Sequence, residues 1–133
     1  TLANINLVNY KNLLAESSYV LDPTYLTNAY LGDTKLELYF LYKDKRERTT
    51  ANKYLEEAVE HYTQAISIAP SQEEVEKIEL DRDLDLVSPA EVYLNRGEAY
   101  AWMKNKFNKA CNDWKVSKKM GNEDARDNVR RDC

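Results

Sequence analysis

Segment 50–69 has the clearest structural signal in the chain, because its apolar residues recur at intervals of three and four. This spacing places them on one broad face of an α-helix that must pack against other helices. They are Tyr54, Leu55, Ala58, Val59, Tyr62, Ala65, Ile66 and Ala69, and Pro70 ends the segment. Because the 133 residues include only 3 Gly and 3 Pro, the chain favours long helices over a many-turned β fold.

Capping signals divide the C-terminal part of the chain into three further helices. Ser88 and Pro89, with Glu91 completing a capping box, predict the start of a helix that runs to about residue 104. A turn at 105–106 leads to a helix over 107–120, which Gly121 suits as a left-handed end. Asn122 then predicts the start of a short final helix.

The N-terminal part has weaker helical signals. Residues 3–20 show a moderate helical pattern that Asp22-Pro23 breaks. Gly32-Asp33 indicates a helix stop and a turn, and Thr34 with Glu37 predicts a new helix start through a capping box. The Leu- and Tyr-rich segment that follows, 36–42, would also suit a strand, but its long continuation without Gly favours a helix.

Two segments share the spacing of small and aromatic residues that is typical of a repeated helix pair. The pattern of a second helix is present in Ala58, Tyr62, Ala65 and Pro70. The pattern of a first helix is present in Tyr93, Gly97 and Tyr100, and the helix after it continues with Ala110 and Trp114. Through these residues, segments 50–70 and 89–133 resemble tetratricopeptide-repeat (TPR) proteins, and the C-terminal part resembles those of the Bacteroidetes type.

The resemblance implies an all-α fold, in which a short stack of antiparallel helix pairs forms a TPR-like α-solenoid with a C-terminal capping helix. Residues 1–133 would form a single domain. Its parts would be divergent N-terminal helices in 1–49, repeat-like helices in 50–70 and 89–121, an acidic insertion in 71–88 and the capping helix in 122–133. In this pairing Arg46 stands where the first helix of the 50–70 repeat would have a Gly.

TPR repeats generally bind an extended peptide or a helix in a concave groove lined by the first helices. The resemblance therefore implies a non-catalytic scaffold for a protein or peptide partner, with Asn95, Glu98, Ala101 and Trp102 in the groove. Trp102 is the hot-spot candidate if its ring is exposed, although a core position is commoner for such a residue.

Three other functions stay open at this stage. The Tyr-rich segment 36–42 would suit a helical assembly module that forms a homo-oligomer. Residues 90–96 are similar to the helical core of outer-membrane glycan-binding lipoproteins, which would imply a glycan-binding domain. An enzyme site in the non-repeat N-terminal half is the third alternative.

Composition and motifs argue against several classes of function. A net charge of −4, from 23 acidic and 19 basic residues, gives no overall basic surface for nucleic acid. No apolar run approaches the ~18 residues of a membrane span. His61 is the only histidine, and Asp81, Asp83 and Asp85 imitate a calcium loop without its Gly, which Leu86 replaces. We therefore expect no catalytic site, no metal and no cofactor.

The two cysteines lie on either side of the predicted turn at Gly121. At a rise of ~1.5 Å per residue, Cys111 and Cys133 are both roughly 15–18 Å from that turn along antiparallel helices, so they are placed to meet. A disulfide would staple the last helix and imply a periplasmic or extracellular location. Two reduced, half-buried cysteines in a cytoplasmic protein are the alternative.

Overall fold

The computed structural model describes residues 23–71, 73–77 and 87–133, and every regular element in these ranges is a helix, as predicted. The longer helices are α1 (Pro23–Asp44), α2 (Arg48–Ser67), α3 (Pro89–Ala101), α4 (Phe107–Lys119) and α5 (Glu123–Asp132). A short helical segment, 73–77, follows α2. The predicted helix within 3–20 and the acidic run 81–85 lie outside the described residues.

α1 and α2 form an antiparallel pair around a close approach of Tyr62 to Gly32. A Cβ atom on Gly32 would lie 2.5 Å from Cε1 of Tyr62, which is closer than atoms can approach without a shift. Towards the turn that joins the two helices, the rings of Tyr42 and Tyr54 are tilted against each other with centroids 5.3 Å apart. The absence of a side chain on Gly32 therefore lets an aromatic ring of α2 reach the backbone of α1.

The predicted helix stop at Gly32 is wrong, because α1 continues through this residue to Asp44. Thr34 does not cap a new helix either, since its hydroxyl donates to the carbonyl of Tyr30 one turn earlier at 3.0 Å. The glycine of the first helix that faces the second helix is Gly32, not a residue at the position of Arg46. Arg46 lies in the turn after α1, with φ at 62°. Segment 36–42 is helical, as predicted.

α3 and α4 form a second antiparallel pair with the same kind of contact. A Cβ atom on Gly97 would lie 2.6 Å from Cδ1 of Trp114, so the indole packs on the bare backbone of α3. The hydroxyl of Ser117 donates to the carbonyl of Ala90 at 2.7 Å and ties the other ends of the two helices together.

In this half of the chain the predicted helix starts at Ser88 and Asn122 and the left-handed end at Gly121 are confirmed, whereas α3 ends at Ala101, before the predicted end near residue 104. The hydroxyl of Ser88 accepts from the amide of Glu91 at 3.2 Å, with proline following it at the first helical position. Gly121 has φ at 97°, the left-handed conformation that glycine adopts without strain. The side chain of Asn122 accepts from the amide of Ala125 at 2.9 Å and starts α5.

The two helix pairs meet where α2 packs against α3. The interior has a larger cluster, which α1 and α2 form with Val92 and Ala99 of α3, and a smaller cluster of Ala110, Trp114 and Ala125. The small residues expected between helices, Ala58, Ala65, Gly97 and Ala110, are all buried. α5 packs on α4, and Ala125 is its only buried residue. This arrangement leaves α1 and α3 side by side, in contact at a few positions that form the candidate site.

Candidate functional site between α1 and α3

Polar contacts join α1 and α3 at the centre of their shared surface. The carboxylate atom Oδ1 of Asp33 accepts from the hydroxyl of Tyr62 at 2.5 Å and from Nδ2 of Asn95 at 3.2 Å. One carboxylate of α1 is therefore held by α2 and α3 together. Asp33 and Asn95 are half-buried, so this contact is partly accessible at the surface where α1 and α3 meet, which we call the α1–α3 seam.

Burial changes the acidity of the groups at this contact. Removal of Asp33 from water raises its pKa from 3.8 to about 6, against the opposing effect of the hydrogen bonds from Tyr62 and Asn95. The nearby charge of Glu37 raises this pKa further. Burial and the adjacent Asp33 also hold the pKa of the Tyr62 hydroxyl well above 10. Tyr62 thus remains a hydrogen-bond donor across the physiological range.

Aromatic rings form the other end of the α1–α3 seam. The ring of Phe40 meets that of Trp102 edge-on with centroids 5.7 Å apart, and the ring of Tyr39 lies 6.1 Å from it. Nζ of Lys43 lies 3.4 Å from the centroid of the Trp102 ring, in cation–π contact. Trp102 is the cap residue of α3 and is 46% exposed. Most of these rings are covered, but that of Trp102 is open to a partner.

A pocket of about 380 Å³ opens beside Trp102, between α3, α4 and α5. We call it the aromatic pocket, because the rings of Trp102, Phe107 and Trp114 line it, together with Glu98, Ala101, Asn128, Arg131 and Asp132. Phe107 is 43% exposed and meets the buried Trp114 edge-on. Two of the most exposed large apolar side chains in the described part of the chain therefore border one concavity.

The charged groups of the aromatic pocket are unequally paired. Nη2 of Arg131 lies 2.8 Å from Oδ2 of its neighbour Asp132. Within the described ranges, the half-buried Glu98 makes no hydrogen bond or ion pair, and burial raises its pKa above the usual value. The unpaired charge of the pocket is therefore the carboxylate of Glu98.

A buried ion pair holds the helices behind this surface. The guanidinium of Arg96 on α3 makes a two-pronged contact with Asp113 on α4, at 2.8 Å from Nε and 2.7 Å from Nη2. Nη1 of Arg96 also donates to the hydroxyl of Thr63 on α2 at 3.2 Å. Both members of the pair are largely shielded from solvent, so the contact fixes three helices in place rather than facing a ligand.

The residues that the resemblance placed in a groove fall into two parts of this surface. Glu98, Ala101 and Trp102 line the aromatic pocket, whereas Asn95 lies in the α1–α3 seam beside Asp33. Trp102 is exposed rather than in the core, which is the condition under which the sequence makes it a hot-spot candidate.

The sequence did not place Asp33, Tyr39, Phe40 and Phe107 at this surface, although segment 36–42 was a candidate for assembly. The α1 residues among them were missed because Gly32 was interpreted as a turn, which cut α1 in two. The buried aromatic at Tyr62 was the available signal, since a large ring in a second helix needs a small residue opposite it.

The cysteines and the single histidine are also located. Cys111 and Cys133 form a disulfide that joins the end of α5 to α4, with their Cα atoms 5.9 Å apart. His61 is half-buried on α2, and its Nδ1 lies 3.0 Å from Oδ1 of Asn28. Among the described residues no three His, Cys, Asp or Glu side chains are grouped to hold a metal ion.

The helices of the described ranges include none that is both long and apolar enough to cross a membrane. Comparison of the chain with protein-family models, with curated proteins and with solved structures finds no match. The functional interpretation therefore depends on the surface itself.

Proposed function

We propose that the chain is a TPR-like stack of helix pairs that binds an extended peptide segment of a protein partner along the α1–α3 seam, without catalysis. The observation that carries the proposal is the exposed indole of Trp102 at the junction of the seam and the aromatic pocket. Hot spots in protein interfaces are enriched in Trp, and they cluster in pockets that the partner fills.

The likeness of the two helix pairs supports the TPR-like part of the proposal. In each pair a glycine of the first helix faces an aromatic ring of the second, as Gly32 faces Tyr62 and Gly97 faces Trp114. The first helices, α1 and α3, then lie on the same side of the molecule. A peptide laid across them would meet side chains from both pairs.

The polar part of the seam suits an extended peptide, and the position of Lys43 over the ring of Trp102 argues against a glycan. The amide of Asn95 and the carboxylate of Asp33 offer donors and acceptors of the kind that pair with peptide N–H and C=O groups. Sugars bind aromatic rings face-on, and Lys43 already lies over the ring of Trp102. We accordingly place the glycan alternative second.

The disulfide indicates the kind of compartment in which the chain is found. Disulfides persist in oxidising compartments and are rare in the cytosol. Because Cys111 and Cys133 are joined, we propose a periplasmic or extracellular location for the chain.

Selection of binders from a library of random linear peptides tests the proposed function. Peptides retained by the wild-type chain are measured by fluorescence anisotropy against two variants, Trp102→Ala and Ile68→Ala. Ile68 is the matched control, because it is an exposed large apolar residue at the far end of α2. We expect Trp102→Ala to weaken binding at least about tenfold and Ile68→Ala to leave it unchanged.

The result that contradicts the proposal is equal affinity of wild type and Trp102→Ala, or a library from which no peptide is retained. Light scattering on the same samples addresses self-assembly, since a homo-oligomer lost on Trp102→Ala would favour the assembly module over a peptide-binding scaffold.

A further inference from the structure

The residues that line the aromatic pocket favour a positively charged occupant. Its walls are the rings of Trp102, Phe107 and Trp114, and Glu98 lies among them without a partner in the described part of the chain. Because the indole N–H of Trp114 already donates to the carbonyl of Leu94 at 3.2 Å, that ring offers the pocket carbon atoms and π surface. The pocket is therefore aromatic on its sides and anionic at one point.

We propose that the aromatic pocket binds an arginine side chain of the partner peptide, with the guanidinium against the rings of Phe107 and Trp114 and paired with the carboxylate of Glu98. This inference rests on the proposed function and names the chemistry of the partner. A planar guanidinium stacks on aromatic faces and forms two parallel hydrogen bonds to a carboxylate. The aromatic rings of the pocket suit the stacking, and the carboxylate of Glu98 suits the hydrogen bonds.

The charge of Glu98 is the reason to favour a cation over an apolar side chain. An apolar occupant would displace water from a half-buried carboxylate and give it no hydrogen bond in return, which is unfavourable. The other charges of the pocket do not offer Glu98 a partner, because Arg131 is engaged by Asp132 at 2.8 Å. A cationic side chain from outside supplies the missing counter-charge.

Cation–π contacts within the same chain show that its aromatic rings hold cations in this way. Nζ of Lys43 lies 3.4 Å from the centroid of the Trp102 ring. The guanidinium carbon of Arg96 lies 5.6 Å from the ring centroids of both Tyr93 and Tyr100. The aromatic pocket includes the Trp102 ring that Lys43 contacts, and it adds open space and an acid, Glu98, that has no partner among the described residues.

A pair of capped peptides tests the proposal on the unaltered chain. One is acetyl-Gly-Gly-Arg-Gly-Gly-amide, and the other has citrulline, the neutral isostere of arginine, in place of Arg. Binding is followed by the NMR signals of the indole N–H groups of Trp102 and Trp114. We expect the arginine peptide to bind at least about tenfold more tightly than the citrulline peptide, since only the first pairs with Glu98.

A matched pair of variants assigns the effect to the pocket. Glu98→Gln should reduce the affinity for the arginine peptide to that for the citrulline peptide. Glu60→Gln, which makes the same change on an exposed position of α2, should leave the preference intact. Equal affinities for the two peptides, or an unchanged preference in Glu98→Gln, would overturn the inference.

The outcomes also separate this inference from the proposed function. If library peptides need Trp102 but show no preference for arginine and no loss on Glu98→Gln, the scaffold function stands and the arginine pocket is wrong. If arginine is preferred and Glu98→Gln removes the preference, while Trp102→Ala leaves the affinity for library peptides unchanged, the pocket stands and the α1–α3 seam is not the peptide site.

Discussion

The ring of Tyr62 packs against the backbone of Gly32, and its hydroxyl donates to the carboxylate of the next residue of α1, Asp33. One side chain of α2 thus both closes the first helix pair and positions a polar group of the α1–α3 seam. Trp114 packs on Gly97 in the second pair and lines the aromatic pocket with its outer edge. Packing between paired helices and construction of the surface therefore depend on the same two aromatic residues.

Substitution of Gly32 or Gly97 by alanine tests the packing, because the direction of the change in unfolding free energy depends on it. Inside a helix, Gly→Ala ordinarily stabilises a protein by about 0.5–1 kcal/mol. At Gly32 and Gly97 the new Cβ would collide with Tyr62 or Trp114, so we expect each variant to lose about 1–3 kcal/mol of unfolding free energy in urea. Gln64→Ala, at an exposed position of α2, serves as the control, and stabilisation by Gly32→Ala would contradict the packing.

The case of Gly32 shows why sequence reasoning placed the second helix pair better than the first. Gly97 stands among residues with the spacing of a first helix, so its role was recognisable. Gly32 is followed by Asp33 and Thr34, which together look like a turn and a helix start. The ring of Tyr62, 29 positions from Asp33 in sequence, overrides that local signal by packing where any side chain would interfere.

Loss of the disulfide should destabilise the chain and release α5. In the chain-entropy account, a cross-link that closes a loop of this size, with a sequence separation of 22, contributes about 2–4 kcal/mol. α5 has Ala125 as its only buried residue, so it has little else to hold it on α4. We expect the double variant Cys111→Ser with Cys133→Ser to lose about this free energy, and the amides of α5 to exchange faster with solvent.

Thiol counting on the unfolded chain is the control for that prediction. No free thiol should be found before reduction and both afterwards, since Cys111 and Cys133 are joined. Two reactive thiols in the unreduced, unfolded chain would contradict the disulfide and with it the proposed location.

The buried pair of Arg96 and Asp113 should be far more important for stability than the ion pairs on the surface. Asp113→Ala leaves a largely buried guanidinium without its partner, which costs about 3–5 kcal/mol. Asp127→Ala removes an exposed partner of Arg130 at 3.3 Å and should cost less than about 1 kcal/mol. Chemical unfolding of both variants checks the difference, and equal losses would mean that Arg96 is better solvated than its contacts indicate.

The raised pKa of Asp33 predicts a pH dependence of stability. The folded chain holds this proton up to about pH 6, whereas the unfolded chain releases it near 3.8. The folded state therefore binds more protons between these values, and the unfolding free energy should fall as pH rises through them, by as much as about 3 kcal/mol. Glu98, whose pKa is also raised, contributes in the same direction.

Asp33→Asn isolates this contribution, because asparagine keeps an acceptor for Tyr62 without a charge. We expect the variant to show a flatter dependence of unfolding free energy between pH 4 and 6 and to be at least as stable as wild type at pH 7. An unchanged slope would show that Asp33 is charged in the folded chain throughout that range.

The sequence predicts the part of the aromatic pocket that lies on one helix, but not the part that comes from other helices. Glu98, Ala101 and Trp102 follow a helix pattern, so their common surface was foreseen. Phe107 and Arg131 join them only because the turn after α3 and the disulfide-linked α5 fold back around Trp102. Such contacts depend on the packing of whole helices, which local spacing does not encode.

The most direct measurement of the central claim is an NMR titration of backbone amides with a peptide retained from the library. A scaffold that binds through α1 and α3 predicts shifts confined to the seam around Asp33 and Asn95 and to the pocket around Glu98 and Trp102. Shifts located instead on the outward faces of α2 and α4, with those of α1 and α3 unmoved, would contradict it.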